Sequence, residues 1–432
     1  MPKVGLYTLG CKVSQYETEA IAEEFSRRGY DIVPFDSPAD AYVVNTCTVT
    51  AESDRKSRQI IRRAIKLCPD AVVAAIGCYS QRSSEELSRI EGVGIIIGTQ
   101  NKMSVVDLVD SRLAAPCEKF VSAPSLEGTS FEPMRIERAP RTRAYVKIED
   151  GCECRCSYCA IADARGPVRS KPMNEVIEEV EALYRGGTRE IVLTGIETGS
   201  WGVDLGDGVG LADLILELDR RHSCDRLRLG SLAPELVNAS FIHKVKNASI
   251  LTPHFHLSVQ SGSDKILRLM RRRYLRSRAL ENIRLIREAI PGVQLTTDLM
   301  VGFPGEDEVD FLDTLSFLKE AGFLDAHVFA YSKRKGTAAQ GYPNQVPEEV
   351  KKERSRRLIE AKEEQKRQIL DGVLASGLPM GAILESYSGG EYTAHTDSFI
   401  EIRVPLAEGR EGEMVRVVPV LRKDGVLICK EI

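Results

Sequence analysis

Short apolar runs alternate with amphipathic helical stretches along most of the 432 residues, and this alternation restricts the chain to α/β folds built on parallel strands. Over residues 1–114 the runs "KVGLYTL", "AYVVNT", "AVVAAIG" and "GIIIG" are separated by "SQYETEAIAEEFSRRG", "AESDRKSRQIIRRAIK" and "SSEELSRI". Four strands with crossover helices predict a small doubly wound parallel sheet. Residues 115–140 carry four prolines and no sustained apolar face, and read as a linker. Alternation resumes over 141–373 with "AYVKIED", "REIVLTG", "DRLRLG", "HFHLSVQ", "VQLTTDLMVG" and "LDAHVFAY", followed by a long charged helix. Six βα units in about 230 residues predict a partial barrel of the TIM type, with working loops at the carboxyl ends of its strands. Residues 374–432 change to short alternating strands with glycine-rich turns, "FIEIRV", "MVRVVPV" and "GVLICKEI", which predict a small closed β-barrel of OB-like size.

Composition bounds the partners. Hydrophobic residues at 43% and charged residues at 28% exclude a disordered tail protein or a fibre. A net charge of -4 means that nucleic acid, if bound, is held by local patches and not by a whole-protein field. The start "MPKVGLYTLGC" has no signal-peptide pattern and no apolar run approaches a membrane span, so the expectation is a cytoplasmic protein without a membrane partner. In a reducing compartment, eleven cysteines are metal ligands or core residues before they are disulfides.

Four of them crowd into "GCECRCSYC". Cys152, Cys156 and Cys159 stand in a C-x3-C-x2-C spacing on a loop after the first barrel strand. Iron–sulfur clusters need thiolates converging from such a tight loop, and three thiolates on a four-iron cluster leave one iron open for a substrate. A zinc knuckle is the competing reading, but no second pair of Cys or His follows within twenty residues. The parity of Cys154 places it on the opposite side of an extended loop, as a non-ligand. Cys11, Cys47 and Cys78 each follow a predicted strand, so all three fall at the carboxyl edge of the N-terminal sheet, where open α/β sheets build sites. They read as ligands of a second cluster with a free iron. Cys68, Cys117, Cys224 and Cys429 have no such partners and read as buried small hydrophobes.

With these motifs in place, the chain resembles the methylthiotransferase family of radical S-adenosylmethionine (SAM) enzymes along essentially its whole length. "GCECRCSYC" with the downstream Arg165 and Gly166 is similar to the radical SAM cluster loop. "TLGCKVSQYETE", "NTCTVTAESDRKSRQ" and "IGCYSQ" are similar to the three cysteine motifs of the family's N-terminal domain, and "LSVQSGSDKILRLMRRRY", "TTDLMVGFPGE" and "YSKRKGTAA" to later barrel signatures. Around the first two cysteines the residues resemble the branch acting on N6-threonylcarbamoyladenosine at position 37 of tRNA; Ser14 stands where asparagine is usual. The resemblance implies two [4Fe-4S] clusters and SAM as cofactors, a C-terminal TRAM domain, and methylthio transfer to C2 of the adenine. The barrel cluster would chelate SAM and cleave it to a 5′-deoxyadenosyl radical, and the N-terminal cluster would present the sulfur. It also implies the anticodon stem-loop of tRNA, an electron donor such as flavodoxin or ferredoxin, and a sulfur source as partners.

Individual contacts carry two readings each. Gly195, Glu197, Gln260, Ser261, Gly302 and Gly305 lie at strand ends where radical SAM barrels meet SAM, and each is equally readable as turn chemistry. Arg55, Arg58 and Arg62 beyond Cys47, with Arg271, Arg272 and Arg273 beside Tyr274, are candidate phosphate contacts or solvated faces. His254 and His256 share a strand face, as metal ligands or buried barrel histidines, and Trp201 offers a ring for base stacking. Rival functions are methylthio transfer to isopentenyladenosine or to ribosomal protein, and a non-catalytic iron–sulfur RNA-binding module.

Overall fold

The computed structural model describes residues 1–115, 118–139 and 142–432. The N-terminal unit runs β1 (Lys3–Thr8), α1 (Lys12–Arg27), β2 (Asp31–Val33), β3 (Ala41–Thr46), α2 (Ala51–Leu67), β4 (Val72–Gly77), α3 (Cys78–Arg82), α4 (Ser84–Ser88), β5 (Val93–Ile97), α5 (Val105–Ala114) and β6 (Phe120–Ser122). Its strands form one parallel sheet in the order β2-β1-β3-β4-β5-β6. Helices cover both faces, so β3 and β4 are buried throughout and read as near-continuous apolar runs. The two strands beyond the expected four are three-residue edges, too short to leave a period in the sequence, and β6 falls in the stretch that reads as a linker. Further along that stretch Met134 and Ile136 are buried in the same core as α1 and the barrel.

The central unit comprises β7 (Arg143–Lys147), β8 (Glu149–Asp150), α6 (Ile161–Arg165), β9 (Arg169–Ser170), α7 (Met173–Arg185), β10 (Glu190–Thr194), α8 (Leu211–Arg220), β11 (Arg226–Leu229), β12 (Ser231–Leu232), α9 (Ala239–Val245), β13 (His254–Gln260), α10 (Asp264–Leu269), α11 (Arg276–Ala289), β14 (Gln294–Val301), α12 (Glu308–Ala321), β15 (Asp325–Ala330) and α13 (Glu348–Ser376). Two parallel ladders, β11-β10-β7 and β12-β13-β14-β15, are joined where Gly230 separates β11 from β12 and Leu227 bridges Leu251. This is the expected partial barrel of six βα units. The C-terminal unit, β16 (Met380–Ser388), β17 (Glu391–Thr396), β18 (Glu401–Val404), β19 (Met414–Lys423) and β20 (Val426–Glu431), closes as a barrel in the order β16-β17-β18-β20-β19.

Its Phe399 plugs the floor of the central barrel, stacked on His254 at 4.6 Å and under the Arg228 guanidinium at 4.8 Å. His254 and His256 both bond Thr296 Oγ1, at 3.0 and 2.9 Å, and His256 also pairs with Asp298, so they are barrel histidines and not a metal pair. Trp201 is corrected too: its ring is 1% exposed and its Nε1 donates to the Lys171 carbonyl, so it packs the core and offers no stacking face. Cys224 and Cys429 are buried and Cys68 half-buried, whereas Cys117 lies outside the described residues. No helix among the described residues is long and apolar enough to cross a membrane.

Candidate active site

Sheet topology assembles the first group of cysteines. β1, β3 and β4 are direct neighbours, and neighbouring strands lie about 4.8 Å apart. Thr46 pairs with Gly77, so Cys47 and Cys78, the next residues, leave the sheet at one level. Cys11 follows β1 at the N-terminus of α1. Gly10 sits at φ +110°, and a Cβ there would stand 3.0 Å from Cys47 Sγ, so glycine is what lets that sulfur approach the turn. Val49 N donates to Cys47 Sγ at 3.5 Å, and Arg165 Nε, from α6 of the barrel unit, donates to Cys78 Sγ at 3.1 Å. Cys11 is exposed and opens on a groove that Leu6, Thr8 and Gln15 also line.

Local backbone assembles the second group. Gly151 turns the chain at φ +106°, where a Cβ would lie 1.9 Å from the Pro167 carbonyl oxygen, and Cys152 N donates to Gly166 O at 3.0 Å. The loop is pinned to the barrel by Ser157, whose N–H and hydroxyl donate to Met270 O and Leu269 O, and by Tyr158 packed against Phe303. Ile161 N donates to Cys159 Sγ at 3.4 Å and Arg272 Nη1 to Cys156 Sγ at 3.5 Å. Cys154 is not on the far side of the loop. Its N–H donates to Cys152 Sγ at 3.5 Å, and the hydrogen bond between the two thiols lowers its pKa from the usual thiol value. The opposite-side reading fails because residues two apart in extended backbone point to the same side, which puts Cys154 with Cys152.

Burial pushes Cys78 up to about 12 and Cys159 to about 11. A bound metal reverses this, because a coordinating thiol is deprotonated. Among the described residues no three Cys, His, Asp or Glu side chains converge tightly enough for a single metal ion. The fit to iron–sulfur clusters rests instead on the N–H···S donors aimed at Cys47, Cys78, Cys152, Cys156 and Cys159, the kind of bond that tunes such clusters.

Beside the barrel loop, the strand ends gather buried polar atoms. Glu197, raised to about 7 by burial, accepts from Ala233 N at 3.0 Å and donates its own N–H to Glu149 Oε2. Glu149 Oε1, Thr198 Oγ1, Glu235 Oε2 and Gln260 Oε1 are buried without a hydrogen-bond partner in the protein. Gly195 abuts Glu149. Of the other SAM candidates, Ser261 bonds Thr314 and Ser263 in the core, while the N–H groups of Gly302 and Gly305 are taken by Glu306 Oε1 and Asn344 O. Those three serve loop structure.

The arginines divide as well. Arg272 turns inward to Cys156, to Ser258 O and over the Tyr274 ring at 5.1 Å, which corrects its reading as a phosphate contact. Arg271 and Arg273 are exposed, Arg273 donating to Glu153 O. Arg55 pairs with Glu52, and Arg58 and Arg62 line an open groove of about 560 Å³ with Lys66 and Arg89. Sequence reasoning passed over Glu17, Lys102, Lys147 and Asp150, a buried charge cluster at the seam between the two units; the signal was three charges in "VKIED" at the end of an otherwise apolar strand.

Comparison with known proteins fits this geometry. A family model described as "Radical SAM superfamily" matches residues 146–318, and one described as "Uncharacterized protein family UPF0004" matches residues 3–98. The chain is 37% identical over 422 residues to the threonylcarbamoyladenosine tRNA methylthiotransferase MtaB of Bacillus subtilis, covering 96% of this chain and 93% of that one. It is 34% identical to the protein of the same name from Aquifex aeolicus, over 96% of this chain and all of that one, and 35% identical to the tRNA-2-methylthio-N(6)-dimethylallyladenosine synthase of Acetivibrio thermocellus, over 85% and 78%. The solved radical SAM methyltransferase TsrM of Kitasatospora setae shares the fold with a TM-score of 0.56 and 17% identity, covering 76% of this chain and 75% of that one. Barrel and cysteine loop thus define a radical SAM enzyme, a class that works with a [4Fe-4S] cluster and SAM. Within that class the chain belongs to the methylthiotransferase family.

Proposed function

We propose that this enzyme places a methylthio group on C2 of N6-threonylcarbamoyladenosine at position 37 of tRNA, working in the cytoplasm with two [4Fe-4S] clusters. The observation that carries the reading is the pair of cysteine groups, each with an arginine donating to one of its sulfurs, in a chain that matches relatives named threonylcarbamoyladenosine tRNA methylthiotransferase over nearly its full length. Cys152, Cys156 and Cys159 would hold the cluster that serves SAM, and Cys11, Cys47 and Cys78 the one that supplies sulfur. When bound, an iron–sulfur cluster provides the electron for SAM cleavage, which no side chain can furnish.

The chain's own residues supply position. Glu197 and Gln260 offer buried acceptors for the ammonium group of SAM beside the barrel loop. Lys12, next to Cys11, is exposed and lies within electrostatic reach of Arg228, Arg143, Asp298 and Glu190. A cation there suits the carboxylate of a threonylcarbamoyl group, whereas a dimethylallyl group has no charge to pair. Arg62 and Lys66 in their groove, with exposed Arg271 and Arg273, are the phosphate contacts for the anticodon stem-loop. A flavodoxin or ferredoxin and a separate sulfur source complete the reaction. We assign three domains near the expected 1–114, 141–373 and 374–432, with the first extended to its edge strand Phe120–Ser122, the second to the end of α13 at Ser376, and the last a TRAM-type barrel.

The test is mass analysis of tRNA nucleosides from cells lacking the gene. The methylthio form of threonylcarbamoyladenosine should vanish while methylthio-dimethylallyladenosine persists. The reverse pattern would assign the enzyme to the dimethylallyl branch, to which the Acetivibrio relative belongs.

A further inference from the structure

We propose that Arg165 is a positioning residue that joins the two cysteine sites, using its guanidinium to fix and polarise Cys78 from across the domain seam; this rests on the reading of Cys11, Cys47 and Cys78 as ligands of the second cluster. Arg165 is fully buried. Its Nε donates to Cys78 Sγ at 3.1 Å, while Nη1 and Nη2 reach Glu17 at 2.5 and 3.2 Å and Nη1 reaches Asp150 at 3.1 Å. Lys147 bonds the same two carboxylates at 2.9 and 2.6 Å, and Lys102 lies 3.4 Å from Glu17 and 2.8 Å from Glu132. Cys78, Glu17 and Lys102 come from the N-terminal unit, and Arg165, Lys147 and Asp150 from the barrel. The seam is therefore held by four buried cations, Arg165, Lys147, Lys102 and Arg169, the last 3.8 Å from Asp150, against the three buried carboxylates of Glu17, Asp150 and Glu132.

Two consequences follow from where Arg165 sits in the chain. It ends the short helix that begins two residues after Cys159, and the next residue, Gly166, accepts the Cys152 N–H. Consecutive residues thus hold one sulfur of the N-terminal site and the turn of the barrel site. The carboxylates lock both Nη atoms, so Nε–H stays aimed at sulfur. Cys47 and Cys159 receive N–H groups from their own loops and Cys156 receives Arg272 of its own domain; Cys78 takes its donor from the opposite domain. A full positive charge and an N–H···S bond at a ligand sulfur stabilise the reduced state of whatever that sulfur binds, so Arg165 raises the reduction potential of the N-terminal site.

The test uses the full-length chain with Cys152, Cys156 and Cys159 changed to Ala, reconstituted with iron and sulfide, so that iron is held only by the N-terminal site. Its midpoint potential is followed by electron paramagnetic resonance. Arg165→Gln should move the potential negative with iron content retained, and Arg165→Lys, which keeps the charge but not the fork, should restore part of the shift. Where Arg165→Gln alone fails to fold, the pair Arg165→Gln/Glu17→Gln removes one charge of each sign, so the net charge of the cluster is unchanged and Lys102 keeps Glu132 while Lys147 and Arg169 keep Asp150; the negative shift should persist. An unchanged potential in an iron-loaded, folded variant overturns the proposal alone. An iron-free parent overturns the second cluster site, and this proposal with it.

Discussion

The barrel triad and the sheet triad reach the same end by opposite routes. Cys152, Cys156 and Cys159 lie within eight consecutive positions, held by the turn at Gly151 and by bonds within one loop. Cys11, Cys47 and Cys78 are scattered over 68 positions and meet because β1, β3 and β4 are neighbours in register. The first site is a property of local backbone, and the second is a property of the whole sheet and of the domain docked against it. A local change should therefore remove one site without the other, and the buried charges that weld the domains should set how each region responds to pH.

The largest expected effect is at Gly151. Gly151→Ala combines a left-handed backbone with a Cβ only 1.9 Å from Pro167 O, and should cost on the order of 3 kcal/mol. Iron at the barrel loop should be lost while the sheet site stays loaded, read by iron analysis of each cysteine-triad knockout. Gly10→Ala is milder, about 1–2 kcal/mol, since the contact at 3.0 Å is a thiol that can give. It should cost iron at the sheet site alone. Loss from both sites in either variant would break the comparison.

The pH response separates the regions next. Glu17 at the seam is held well below the usual carboxylate range by Arg165, Lys102 and Lys147 against the opposing effect of burial. Its pairing stabilises the fold above the unfolded pKa and is lost as acid protonates it. Glu306 in the barrel is instead pushed up to about 7 by burial, which outweighs Arg354 at 2.8 Å. That group's contribution is complete below about pH 4.5 and is lost as pH rises through about 7. Glu306→Gln should flatten the neutral limb of a denaturation-midpoint curve and leave the acid limb, while Glu17→Gln should act on the acid limb. The smallest effect belongs to Cys154→Ala, which should leave iron at both sites nearly unchanged, since the 152, 156, 159 spacing needs no fourth thiolate. Loss of barrel iron there would show that Cys154 is a ligand.

Much of this was legible in the sequence where period and spacing carry the information. The alternation of apolar runs gave three units, six barrel strands and a closed terminal barrel, and strand ends located both triads. What escaped was set by tertiary packing. The edge strands Asp31–Val33 and Phe120–Ser122 are too short for a pattern. Arg272 lies in a run of arginines that reads as a solvated face, yet one turn of backbone points it at Cys156. Trp201, in a glycine-rich loop, gives no hint that it is buried. Cys154 was misplaced because positions two apart in extended backbone share a side, so the period itself sets it beside Cys152.

The division of labour between the two triads is tested most directly by one pair of variants, Cys47→Ala and Cys156→Ala, reconstituted anaerobically and given SAM, reductant and tRNA, with 5′-deoxyadenosine and methylthio-adenosine quantified by chromatography. Cys47→Ala should still form 5′-deoxyadenosine and yield no methylthio-nucleoside, while Cys156→Ala should form neither. If Cys47→Ala also stops 5′-deoxyadenosine formation while its fold and barrel iron are normal, the two sites do not have separate roles.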